Sequence, residues 1–134
     1  MNGKLILQLS LFGLAMAVAT VFVIPSKIEP MFWLPIFLLC AAVIAKKAPG
    51  KYFLHGFLVS LVNCVWITGA HILFFDSYIA RHADEAAMMA SMPAPDSPRL
   101  MMLMTGPVVG MVSGLVLGLF AFVASKLVKR PATA

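Results

Sequence analysis

The sequence predicts an all-α integral membrane bundle of four transmembrane helices forming one domain. Two observations carry this reading. Hydrophobic residues make up 62% of the 134 positions and charged residues 11%, and the apolar residues gather into long runs instead of recurring at amphipathic spacing. Three of those runs lack Asp, Glu, Lys and Arg altogether, and each reaches the roughly 20 residues needed to cross hydrocarbon.

The first span is 5–24 (LILQLSLFGLAMAVATVFVI). Lys4 before it and "AMA" at 15–17 also fit a secretory signal with a small-residue cleavage site, but the apolar run continues to Ile24, which favours an uncleaved anchor. Pro25 and Pro30 bracket a short turn. The second run, 31–45 (MFWLPIFLLCAAVIA), gives about 22 Å of helix against a core of roughly 30 Å. It is expected to reach across with snorkelling by Lys46 and Lys47, interfacial seating of Trp33, and local thinning of the bilayer. "KKAPGK" makes the next tight turn, and 52–75 (YFLHGFLVSLVNCVWITGAHILFF) is the third span. In the connection that follows, 78–92 (YIARHADEAAMMASM) lacks Gly and Pro and predicts a surface helix, with Ile79, Ala83, Ala86 and Met89 on its apolar side. "SMPAPDSP" breaks the chain before the last span, 100–125.

Charge placement sets the expected orientation. Lys4, Lys46, Lys47, Lys51, Lys126, Lys129 and Arg130 fall on one side of four alternating helices, while the other side receives Lys27, Arg81, Arg99 and every carboxylate in the chain. Basic residues near short loops stay cytoplasmic, so both termini are expected inside a bacterial inner membrane. The formal charge of +5 is then a topology signal. It does not indicate nucleic-acid binding, because the cations flank helix ends and make no aromatic-studded basic face.

In the last span, Gly106, Gly110, Gly114 and Gly118 recur every four residues. Glycine weakens a helix, but in lipid, where acyl chains are as apolar as leucine, small residues let helix backbones meet closely. The stripe reads as a glycine zipper about 18 Å long. Its expected partner is the first helix, through Gly13 and Ala17, or the same helix in a second copy; the plainer reading, which is favoured, is packing within the monomer's own bundle, and a membrane-protein partner would use the same stripe. Pro107 is expected to release the Leu103 carbonyl, giving a kink or a compensating water near the outer end.

Intramembrane polar groups gather on the third helix, where Ser60, Asn63, Cys64 and His71 share a stripe with Thr68 at its edge. Ser60, Asn63 and His71 are candidates for a proton or solute path. The competing reading is helix packing, which the absence of an acidic residue within the confident spans favours. His55 falls nearly half a turn away, and Glu29 reads as a hydrated turn residue at a helix N-terminus. Cys40 and Cys64 differ in depth by about 9 Å and are expected to be free thiols. No CxxC, HExxH, P-loop, GxGxxG or GxSxG is present, so no catalytic residue, enzymatic activity or cofactor is expected. His82, Met88, Met89 and Met92 in the outer connection form a candidate soft-metal cluster suited to Cu(I); the plainer reading is methionine packing at the membrane surface.

"FFDSYIARHADEAAMM" through "GPVVGMVSGLVLGLFAFVASKLVKR" resembles the small four-helix bacterial inner-membrane proteins grouped as domains of unknown function. That resemblance implies the four-span architecture and no activity or site residues. The sequence is therefore expected to encode a non-enzymatic interaction or assembly component contacting lipid and a helix partner. The alternative is a small transporter or channel component for protons, ions or small solutes, with copper handling as its narrower form.

Overall fold

The computed structural model describes residues 1–129. These form α1 (Gly3–Phe22), α2 (Glu29–Lys47), α3 (Tyr52–Leu73), α4 (Phe75–Arg81), α5 (Ala83–Ala90) and α6 (Pro98–Leu127), with no strand among the described residues. Helices α1, α2, α3 and α6 are long and apolar enough to cross a membrane, and they correspond to the four expected runs. Arg130 lies outside the described residues.

The second helix is longer than its apolar run. It has 19 residues, about 28 Å. Pro30 extends it at one end because the first turn leaves its amides unbonded in any case. Lys46 and Lys47 extend it at the other, where cations complement the helix dipole. The expected surface helix 78–92 is two short helices. They break at His82 (φ −125°, ψ 63°), whose ring is 2% exposed and whose Nδ1–H donates to the Tyr78 carbonyl at 2.7 Å. Turning that ring inward interrupts the helix that composition alone would allow.

The glycine stripe also has a different partner from the one its spacing suggested. It faces α3 of the same chain and not α1, in keeping with packing inside the bundle. A Cβ on Gly106 would strike Thr68, on Gly110 the Cys64 Cβ at 2.7 Å, on Gly114 Phe57 at 2.8 Å and on Gly118 Phe53 at 2.8 Å. The antiparallel steps 68, 64, 57 and 53 follow 106, 110, 114 and 118 with helical periodicity. Gly56 completes the contact from the α3 side, where an added Cβ would lie 2.6 Å from the Leu117 carbonyl oxygen. Helix α6 runs unbroken through Pro107.

Helix α1 covers the other side of α3. Gly13 lies against the Asn63 side chain, Ala17 is fully buried, the Trp66 indole N–H donates to Ser10 Oγ at 3.3 Å, and Phe22 meets Phe74 edge-on at 5.4 Å. At the basic end, Asn2 caps α1 by accepting from the Leu5 amide at 3.1 Å. Its own amide donates to His55 Nε2 at 3.0 Å, and His55 Nδ1 lies 3.0 Å from the Lys51 carbonyl. Both ring nitrogens of this fully buried histidine are thereby used, which assigns the neutral tautomer protonated on Nδ1.

Helix α2 packs mainly on α6, and it buries residues fully only in its second half. Its buried residues are Cys40, Ala41, Ile44 and Ala45, which join Leu5, Ile6, Leu9, Val59, Leu117 and Ala121 in the core. That core occupies the basic end, where α2 is rich in alanine. The first half of α2 carries Pro30, Trp33, Pro35 and Phe37 and buries no residue fully. Small side chains permit close approach at one end, and bulky ones hold the helix away at the other.

The two kinds of glycine in this bundle separate in a simple test. Gly56→Ala puts a methyl against α6 backbone, which cannot rotate aside, and should cost about 1–3 kcal/mol of stability in detergent. A Cβ on Gly69 meets nothing within 4 Å, so Gly69→Ala should instead gain up to about 1 kcal/mol through helix propensity. Thermal unfolding of the two variants should move in opposite directions, and equal shifts would refute the close α3–α6 contact.

Candidate functional site

The splayed end of α2 leaves a cavity of about 790 Å³ between α2, α3 and α6, roofed by α4 and α5. Each wall follows from a helical spacing. On α2, Glu29, Trp33 and Phe37 stand four residues apart and line one side. The Trp33 indole N–H donates to Glu29 Oε1 at 2.9 Å, Trp33 meets Phe37 edge-on at 5.8 Å, and Phe37 meets Phe120 at 6.5 Å where the cavity gives way to the core.

Helix α3 supplies the polar wall. Ser60, Asn63 and His71, the three candidate path residues, all line the cavity, together with Cys64 and Thr68. Asn63 is 3% exposed, and neither its Oδ1 nor its Nδ2 has a hydrogen-bond partner. It sits roughly 17 Å along α3, near mid-bilayer, where an unpaired amide is costly. His71 is tied back to α1, with Nε2 2.9 Å from Thr20 Oγ1. Cys64 is a free thiol as expected; its Sγ–H donates to the Gly106 carbonyl at 2.9 Å.

The roof is held by a column of rings. His71 stacks on Tyr78 with centroids 4.1 Å apart, and Tyr78 stacks on His82 at 4.0 Å. Burial raises the Tyr78 phenol well above its ordinary range, and the charges of Glu85 and Glu29 raise it further. The phenol therefore stays protonated, and both carboxylates act on the same region. Glu85 Oε2 is buried without a partner.

Met88, Met89 and Met92 line this roof with Met102 of α6 opposite. His82 does not line the cavity: its ring stacks on Tyr78 and its Nδ1–H bonds the Tyr78 carbonyl, while its Nε2 is buried without a partner. Among the described residues no group of three His, Cys, Asp or Glu side chains is placed to hold a metal. The low wall on α6 is formed by Val109 and Val112, which are 62% and 59% exposed. Both lie within an apolar transmembrane helix, so the cavity opens sideways at the depth of the lipid tails.

Sequence reasoning brought out the polar wall but missed Trp33, Tyr78, Glu85 and Met102 as its neighbours. The spacing of Glu29, Trp33 and Phe37 was the available signal. Gly106 and Gly110 of the packing stripe also reach the cavity surface, whereas Gly114 and Gly118 do not line it.

The Thr20–His71 bond joins two membrane helices and should be measurable as a coupling. A double-mutant cycle with Thr20→Val and His71→Phe should return about 0.6–1.7 kcal/mol, the range found for hydrogen bonds between membrane helices. Additive single effects would show that the bond does not form in the bilayer.

Compared with known proteins, the chain matches no family model, no curated protein sequence and no solved structure.

Proposed function

We propose that this is a non-enzymatic membrane protein that binds a small amphiphilic molecule drawn from the bilayer, as a carrier or transport component of the bacterial inner membrane, without a cofactor. The observation that carries the reading is the laterally open cavity of about 790 Å³, whose largely apolar wall also carries Ser60, Thr68, Glu29 and Glu85. That volume falls within the usual range for small-molecule sites, and apolar walls with a few placed polar groups are their usual chemistry. An acyl chain alone would match only the apolar part of this wall, whereas an amphiphile also meets its hydroxyls and carboxylates. The assembly reading drew on the glycine stripe, and that stripe is covered by α3.

The basic residues support an orientation with both termini cytoplasmic. Lys4, Lys46, Lys47, Lys51, Lys126 and Lys129 lie at the closed end, and the carboxylates lie at the roofed end. The cavity then belongs to the outer half of the bundle.

Reporter fusions after Lys51 and Arg130 should read as cytoplasmic and one after Ala94 as external; an external signal at Arg130 would overturn the orientation. For binding, the neutral amphiphilic dye Nile red should bind saturably to the protein reconstituted in phosphatidylcholine vesicles. The double variant Val109→Trp, Val112→Trp should reduce that binding at least about tenfold by closing the lateral mouth while helix content and size are retained. Unsaturable partitioning that is identical in wild type and variant would refute the reading.

A further inference from the structure

Among the described residues the only ion pair joins exposed Lys27 and Asp84, 3.8 Å apart on the surface. The cavity wall contains two carboxylates, Glu29 and Glu85, and neither Lys nor Arg. Arg99, the cation nearest in sequence to the foot of α6, lies over the Phe75 ring at 5.0 Å. Glu29 receives only the indole N–H of Trp33, and one oxygen of Glu85 is buried with no partner. Two carboxylates at the edge of a low-dielectric cavity, without a counter-cation, favour a positive charge between them.

The rest of the wall narrows what can carry that charge. Trp33 offers an indole ring, the strongest aromatic partner for a cation, whereas Tyr78 is covered on both faces by His71 and His82. Met88, Met89 and Met92 are adaptable apolar surfaces that suit ligands of variable shape. A small hydrated ion would leave these carbon walls unfilled, and no set of three metal-ligating side chains is assembled among the described residues.

We propose that the cavity takes a lipophilic organic cation, its charge held by Glu29 and Glu85 beside Trp33 and its apolar body lying along α3 and α6 toward the lateral opening. This rests on the reading of the cavity as a small-molecule site and adds the chemical class of its occupant. The carboxylates supply selectivity for charge, and the methionines and valines supply tolerance of shape.

Tetraphenylphosphonium and tetraphenylborate have nearly the same shape and opposite charge, so the pair isolates the electrostatic claim. Trp66 is engaged with Ser10 away from the cavity wall, and Trp66→Phe leaves Trp33 as the only tryptophan. In that background, reconstituted in phosphatidylcholine vesicles, tetraphenylphosphonium should quench Trp33 saturably and tetraphenylborate should bind at least about tenfold more weakly. Glu29→Gln and Glu85→Gln should each weaken the phosphonium by about fivefold or more and the neutral Nile red by less. Glutamine keeps the acceptor for Trp33, so the change tests charge and not the fold. Equal binding of the two ions, or Gln variants with wild-type phosphonium affinity, would overturn the cationic assignment and leave the amphiphile site standing. Failure of Nile red and of both ions to bind wild type would overturn both.

Discussion

The structure depends on one contact, the meeting of α3 and α6 at backbone distance. Apolar surface gains little by leaving lipid for another helix, so only a close fit holds such helices together. Gly56 and the α6 glycines provide that fit, with hypothetical Cβ positions falling 2.6–2.8 Å from the opposing helix at Gly56, Gly110, Gly114 and Gly118. With α1 on its other face, α3 becomes the shared wall of the bundle. Helix α2 packs mainly on α6, with its fully buried residues confined to the half that carries Ala41 and Ala45. The cavity is the space left where that packing ends.

Polar groups are distributed in keeping with this division. Those between α1 and α3 pair across the helices, as Thr20 with His71 and Ser10 with Trp66, and several hydroxyls bond back to carbonyls of their own helix, as Ser113 does to Val109 at 2.7 Å. Partners run out, among the described residues, at the Asn63 amide against Gly13, at His82 Nε2 and at Glu85 Oε2. Buried polar groups without partners are uncommon in stable folds, and two of these residues, Asn63 and Glu85, also contribute to the cavity wall.

The four spans, their order and the value of the glycines to packing were all legible in the sequence, because length, composition and a spacing of four report directly on bilayer thickness and close approach. The partner of the stripe was not. Small-residue spacing records that a backbone comes near without saying whose, and Gly56 stands alone in "YFLHGFLVS" with no repeat to advertise it. The polar stripe of Ser60, Asn63 and His71 was visible from helical geometry, but its meaning depended on α2 standing apart, which comes from residues on another helix. The break at His82 was hidden for a similar reason: nothing local forbids a helix through 78–92, and the ring turns inward to meet Tyr78.

The position of the rim has a further consequence. With Val109 and Val112 at the mouth and a ring-stacked roof above, exchange with the cavity runs through the lipid phase. An amphiphile concentrates in that phase according to its partition coefficient, so occupancy follows the mole fraction of ligand in the membrane and not its concentration in water. Apparent dissociation constants for this protein should therefore scale with the amount of lipid in the sample, and values from detergent and from vesicles become comparable only after that partitioning is divided out.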